Sequence, residues 1–307
     1  MQGYLEKKKW IKRQNDQSKN TIRQYGRDYS VKMKRNYFAL AGRQIMMILL
    51  AVLSIYPVFF MINTALKSKP DYIANRFGFP HSIELQNFRE VFLGENFPRW
   101  FLNSIILTVA SVLISLVIAL LAAFALSRYK FKIREGILKF IISLMMVPPV
   151  IMLIPLFIFM SKINLTNTYT GIVLIYTGLL LPFSIYLLTT FFRSVPQSII
   201  ESASIDGCNS IRILKNILIP MSMPPIMTLV VINALWVWNE LLLALIFLQK
   251  DNFKTLMTGI TVFKSRYNID VPLTMMGLFV ITIPMVLIYF LAQKYFIRGL
   301  VSGSLKE

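Results

Sequence analysis

The sequence predicts an all-α polytopic membrane protein with six transmembrane helices and a short helical elbow outside the membrane. Three observations predict it. Only 15% of the 307 residues are charged, against about 25% in soluble domains, and mean hydropathy is +0.60. The charges cluster and leave six apolar runs, at about 40–66, 101–126, 137–160, 170–192, 221–248 and 273–296. Each run exceeds the roughly 20 residues a helix needs to cross about 30 Å of hydrocarbon. Between the fourth and fifth runs lies a polar stretch centred on glycine, ESASIDGCNSIRILKNILIPMSMP at 201–224.

Residues 1–39 form a basic tail without an apolar signal region. The net charge of +19 suits basic loops retained in the cytoplasm, not nucleic acid. An even number of spans puts both termini on one side. Most of the 33 lysines and arginines fall in 1–43, 127–139, 193–216 and the C-terminal end, so both termini and the elbow are expected in the cytoplasm, in a cell membrane. The tail then lies close to anionic lipid. Residues 40–100 carry the first span and the longest external loop. That loop, about 67–100, is rich in Phe and Pro, which predicts short interfacial helices whose neighbours are lipid headgroups or another protein.

Residues 101–296 form a five-span core. In its first span Ser111, Ser115, Ala119 and Ala123 recur every four residues, which places four small side chains on one face for close helix contact. Prolines at 57, 148, 149, 155, 182 and 284 interrupt the spans, free backbone carbonyls and predict bends. In WVWNELLLALIFL (236–248), Glu240 is the acid placed deepest in a predicted span, and such residues face a bundle interior or water. Asn239, Glu240 and Trp238 are therefore candidates for a translocation pathway. Trp236 and Trp238 could stack on a sugar or anchor at the interface.

The elbow is legible in its turn signals. Pro196 suits a helix start, 197–205 can form about two turns, and Asp206-Gly207 marks a turn. Asn209 is a plausible cap for a second helix over 209–218, and Pro220, Pro224 and Pro225 mark entry to the next span. Ile199, Ile200, Ala203 and Ile205 are expected on one apolar face, with Glu201 exposed. A helix held off the membrane can seat in a groove of another protein or rest on headgroups.

The pattern E-S-A-x-x-D-G-x(9)-I-x-x-P, at Glu201, Ser202, Ala203, Asp206, Gly207, Ile217 and Pro220, resembles the loop motif of bacterial binding-protein-dependent ABC importer permeases. MMVPPVIMLIPLF (145–157), LPFSIYLLTTFFRSVPQ (181–197), WNELLLALIF (238–247) and YFIRGLVSGSLK (295–306) are similar to the maltose-type carbohydrate branch. The resemblance runs from about residue 40 to the end. It implies a type I importer permease fold, with 196–219 as a coupling segment that docks on an ATPase through Glu201, Ser202, Ala203, Asp206 and Gly207. It implies that the tail at 297–307 contacts the ATPase through Gly299, Leu300, Gly303 and Lys306. It implies a second homologous permease in a heterodimer, two ATP-binding cassette subunits and an external sugar-binding protein as partners. Ser202 stands where the family usually has alanine, and so often does Cys208.

The chain itself has no G-x-x-x-x-G-K-[ST] sequence, so ATP and magnesium are expected on a partner and no cofactor in this chain. It has a single cysteine, a single histidine and no nucleophile–base pattern, so it is not expected to be an enzyme. The competing expectation is a self-contained secondary transporter or channel, which would show ion-coupling residues and internal repeats.

Overall fold

The computed structural model describes residues 40, 42–94, 96–261, 264–265 and 268–304, with 264–265, 268–269, 291–292 and 294–304 as backbone alone. The basic tail 1–39 lies outside the described residues. The chain divides into two units at Phe60 and Met61. The first unit holds most of helix α1 (Gly42–Ala65). Ile45, Met46, Ile48, Leu49, Val52 and Leu53 are all exposed on it. A helix apolar all round is suited to lipid.

In the second unit, short helices α2 (Lys69–Ala74) and α3 (Gln86–Leu93) form the loop after α1. Three long spans follow in chain order: α4 (Phe97–Arg128), α7 (Tyr169–Ser194) and α14 (Val271–Ser304). Two further spans are broken. Helices α5 (Arg134–Leu144) and α6 (Pro149–Lys162) meet at 96°, and the segment Ser210–Met221 meets α11 (Met223–Asn239) at 81°. Four helices are thus long and apolar enough to cross a membrane, or six if each bent pair is one span.

The stripe on α4 does what its spacing predicts. Ser111, Ser115, Ala119 and Ala123 are all 0% exposed, and α4 lies along α7 over most of its length. Ile185, Leu188 and Phe192 of α7 share one core cluster with Ala119 and Ala123. Without a hydrophobic drive inside lipid, this close approach supplies the dispersion energy that holds spans together.

The expected third span, 137–160, is not continuous. Pro148 and Pro149 follow the end of α5, and the residue before a proline is pushed out of the helical region; Pro148 itself is extended (φ −64°, ψ 130°). Prolines do not break every helix, because α6, α7 and α14 continue through Pro155, Pro182 and Pro284. The expected fifth span, 221–248, ends early, at Asn239, and α12 (Leu242–Phe247) is a separate helix. One antiparallel hairpin, β1 (Lys264–Ser265) with β2 (Asn268–Ile269), adds a small extended element to an otherwise helical chain. Helix α14 runs on to Ser304, so Gly299, Leu300 and Gly303 are helical. Lys306 lies outside the described residues.

At the end of the bundle opposite the elbow, buried Asn103 is the tie. Its amide donates to the carbonyls of Asn252 (2.9 Å) and Lys254 (2.8 Å) and accepts from the Tyr169 hydroxyl (2.7 Å). It pins the loop before α13 (Leu256–Ile260) to α4 and α7.

Candidate functional site

The elbow forms where its turn residues predict. Helix α8 spans Gln197–Ile205, preceded by Pro196 in an extended conformation. Cys208 N–H donates to the Ala203 carbonyl (2.9 Å) and Gly207 N–H to the Ser204 carbonyl (3.1 Å). Gly207 sits at φ +81°. This is a Schellman-type stop, in which a left-handed residue lets the chain turn back and satisfy the last carbonyls. Asn209 then caps α9 (Ser210–Ile213), its side-chain oxygen accepting from Arg212 N–H (2.9 Å). A π-helical turn, Leu214–Leu218, leads into α10 (Ile219–Met221). Ser222 breaks the path, and Pro224 and Pro225 open α11.

The apolar face divides in a way the sequence did not predict. Ile200 and Ala203 are buried, together with Ile213, Leu214 and Leu218, in the cluster built on α4 and α7. Ile199 and Ile205 are exposed instead. The nine residues of α8 make about two and a half turns, and the helix presents only one stripe of them to the bundle. The outer surface therefore carries Ile205 (86% exposed), Ile211 (73%) and exposed Glu201, Ser202, Asp206 and Gly207.

Charged side chains fix the elbow to the bundle. The Arg128 guanidinium, at the C-terminus of α4, donates to the Phe192 carbonyl, to the Val195 carbonyl (3.1 Å) and to Gln197 Oε1 (3.1 Å). One planar fork thus holds the end of α4, the end of α7 and the first residue of α8, where helix C-termini favour a cation. Tyr129 donates to or accepts from Ser210 (2.9 Å). Arg193 reaches the Leu126 carbonyl (3.3 Å) and Glu135 (2.8 Å), which also pairs with Arg134 (3.0 Å). None of these partners is near in sequence to its mate except Arg134 and Glu135, and the sequence reading missed Arg128, Tyr129 and Arg193.

The second candidate group is dispersed. Trp238 is buried and its indole donates to the Ile281 carbonyl (3.1 Å). Asn239 is exposed and donates back to the Leu235 carbonyl (2.8 Å). Glu240 ends α11. One carboxylate oxygen accepts from Leu243 N–H (2.8 Å); the other accepts from Ala244 N–H and the Tyr176 hydroxyl, both at 2.9 Å. The acid is thus the local cap of α12, satisfying donors that a helix start otherwise leaves open. It explains why the fifth span stops there. Glu240→Leu is expected to leave three donors unpaired at about 1–3 kcal/mol each, whereas Glu240→Gln keeps an acceptor. Thermal unfolding in detergent should therefore place the leucine variant clearly below both wild type and Gln.

A cavity of about 730 Å³ opens between the α5–α6 break, α7 and α11, lined by residues that include Met152, Gly178, Pro182, Asn233 and Trp236. Asn233 is buried and donates to Ser184 Oγ (3.0 Å), and Trp236 lies edge-on to Tyr176 (5.8 Å). Glu240, Asn239 and Trp238 do not line this cavity.

The described chain is thus a helical bundle with several apolar spans and an exposed elbow held against α4 and α7. Residues 111–302 match the model of the binding-protein-dependent transport system inner membrane component, and the chain belongs to that family of multi-pass inner-membrane permeases. It is 32% identical to the probable ABC transporter permease YurM of Bacillus subtilis, over 82% of this chain and 83% of that protein. It is 30% identical to the melibiose/raffinose/stachyose import permease MelC of the same organism, over 81% of this chain and 91% of that protein. In fold it is similar to a crystal structure of a bacterial ABC transporter that imports the acidic polysaccharide alginate. There the TM-score is 0.71 at 24% identity, covering 83% of this chain and 95% of that one.

Proposed function

We propose that this chain is the transmembrane subunit of an ATP-driven importer for a di-, oligo- or polysaccharide fragment, and that its elbow is the port through which a separate ATPase drives it. The observation that carries the reading is the split elbow. One side, Ile200 and Ala203, is welded into the α4–α7 core, while the other leaves Ile205 and Ile211 bare around exposed Glu201. An apolar knob with an acidic flank, held rigidly at a helix turn, is what a groove on a partner protein can grip. Ser202, Asp206 and Gly207 complete the docking surface. Closure of two nucleotide-binding subunits would push the knob, and the clamp at α4 and α7 would convert the push into rearrangement of the spans. Gly299, Leu300, Gly303 and Lys306 form a second contact with the ATPase.

The carbohydrate assignment is supported by MelC and by the alginate transporter, whose names state sugars as their cargo. The further partners of the proposal are a second homologous permease, an external sugar-binding protein, and a cytoplasmic location for both termini. ATP and magnesium reside on the ATPase. Glu201→Lys reverses the charge on the exposed face of α8 without touching the core. It is expected to lower recovery of the ATPase with the tagged permease at least several-fold. Unchanged recovery would remove Glu201 from the docking surface. Uptake by the reconstituted chain alone, without an ATPase or ATP, would favour a self-contained carrier.

A further inference from the structure

We propose that residues 67–85 form a ledge that seats in the bilayer interface beside the end of α1, with Lys67 as its internal clasp. Lys67 is 0% exposed, and lysine is almost never fully buried unless its charge is paired. Its ammonium donates to the carbonyls of Gly78 (2.6 Å) and Asn75 (2.7 Å), with a longer contact to that of Arg76 (3.4 Å). Three carbonyl dipoles thus take up the three donors of the ammonium. Asn63 adds a bond to the same Gly78 carbonyl (2.9 Å).

The two ends of the segment are also joined. Glu84 N–H donates to the Leu66 carbonyl (2.8 Å), and the Asn87 amide to the carbonyls of Ala65 (2.9 Å) and Lys67 (2.8 Å). Within the loop, His81 Nδ1 lies 2.5 Å from Asp71 Oδ1. That hydrogen bond outweighs desolvation and holds the Asp71 carboxyl below its usual range.

The result is a closed loop that turns the Lys67 ammonium and the carbonyls of Asn75 and Gly78 inward and several large apolar side chains outward. Ile73, Phe77, Phe79, Ile83 and Leu85 are 66–75% exposed. A soluble surface seldom carries so many large apolar groups together. Two features identify the occupant as lipid. The loop closes on the last residue of a membrane span, Ala65, and the two residues after it, which puts it at the level where hydrocarbon meets headgroups. Lys69 and Arg76 lie among the aromatic residues, and Arg76 stands 5.5 Å over the Tyr72 ring; cations mixed with aromatics suit an anionic interface.

The test is nitroxide labelling of the full chain in nanodiscs containing phosphatidylglycerol. Cys208→Ser removes the native thiol, and Ile73→Cys, Phe77→Cys and Phe79→Cys each introduce one. The expected result is collision of all three labels with oxygen in preference to a water-soluble nickel chelate. Adding Lys67→Met should erase that preference by releasing the loop. Labels at 77 and 79 as open to nickel as free nitroxide in buffer would overturn the proposal. So would water-exposed labels that become immobile only when a solute-binding protein is added, since the occupant would then be protein. An unchanged preference in Lys67→Met would overturn the role of Lys67. The labels in the Lys67 background decide the lipid question even where the methionine variant fails to insert.

Discussion

Gly207→Val is expected to reduce ATP-coupled import by about tenfold or more while leaving the bundle folded. Gly207 holds φ +81°, and a Cβ built there would meet nothing within 4 Å. The penalty is therefore conformational and not a clash. A β-branched residue in the left-handed region costs about 1–3 kcal/mol, and each 1.4 kcal/mol is about a factor of ten in population. The cost falls on the Schellman turn, not on the core, so the elbow opens while α4 and α7 remain packed. Gly207→Asn, which tolerates that conformation, should import nearly as well as wild type, and Gly207→Ala should fall between. Uptake and ATP hydrolysis measured together in proteoliposomes check the series. Equal import by the valine and asparagine variants would detach coupling from the turn.

Arg128→Met should have an effect of similar size by a different route. The guanidinium makes charge-assisted hydrogen bonds to Phe192, Val195 and Gln197, each worth about 1.5–3 kcal/mol. Methionine fills much of the space but removes the guanidinium donors from the Phe192 and Val195 carbonyls and cuts the Arg128–Gln197 hydrogen bond between α4 and the start of α8. Backbone amides at 196–208 should then exchange hydrogen faster, with α4 and α7 unchanged in their middle turns. ATP hydrolysis should continue while import falls. Arg128→Lys supplies a point charge in place of a fork and should restore exchange protection only in part. Exchange at 196–208 that matches wild type in the methionine variant would show that apolar packing of Ile200 and Ala203 suffices to hold the elbow.

The elbow shows how much was legible in the chain. Pro196, Asp206-Gly207 and Asn209 act over four or five residues, and the helix they predict, 197–205, is the helix observed. The stripe from Ser111 to Ala123 is equally local, and a four-residue repeat of small side chains leaves a helix few other uses. Family membership was legible through the same elbow. Glu240 is the opposite case. An acid in an apolar run pointed to a pathway, but its partners include Tyr176, 64 residues away, and its other bonds cap a helix whose separate existence the apolar run concealed. The break at Pro148 was marked by its prolines, yet Pro155, Pro182 and Pro284 carry the same mark and sit in unbroken helices.

What the sequence determined by itself was the apolar runs that supply the four to six candidate spans, the position of the elbow and the residues that turn it. These depend on hydrophobicity, periodicity and backbone preference, which act within a few residues. The tertiary structure decided which charges hold the molecule together. Arg128 chose carbonyls 64 and 67 residues away, and Lys67 chose a cage of carbonyls in place of an acid. A buried cation must find acceptors wherever the fold delivers them, and carbonyls belong to every residue alike, so nothing in the order of side chains names them in advance.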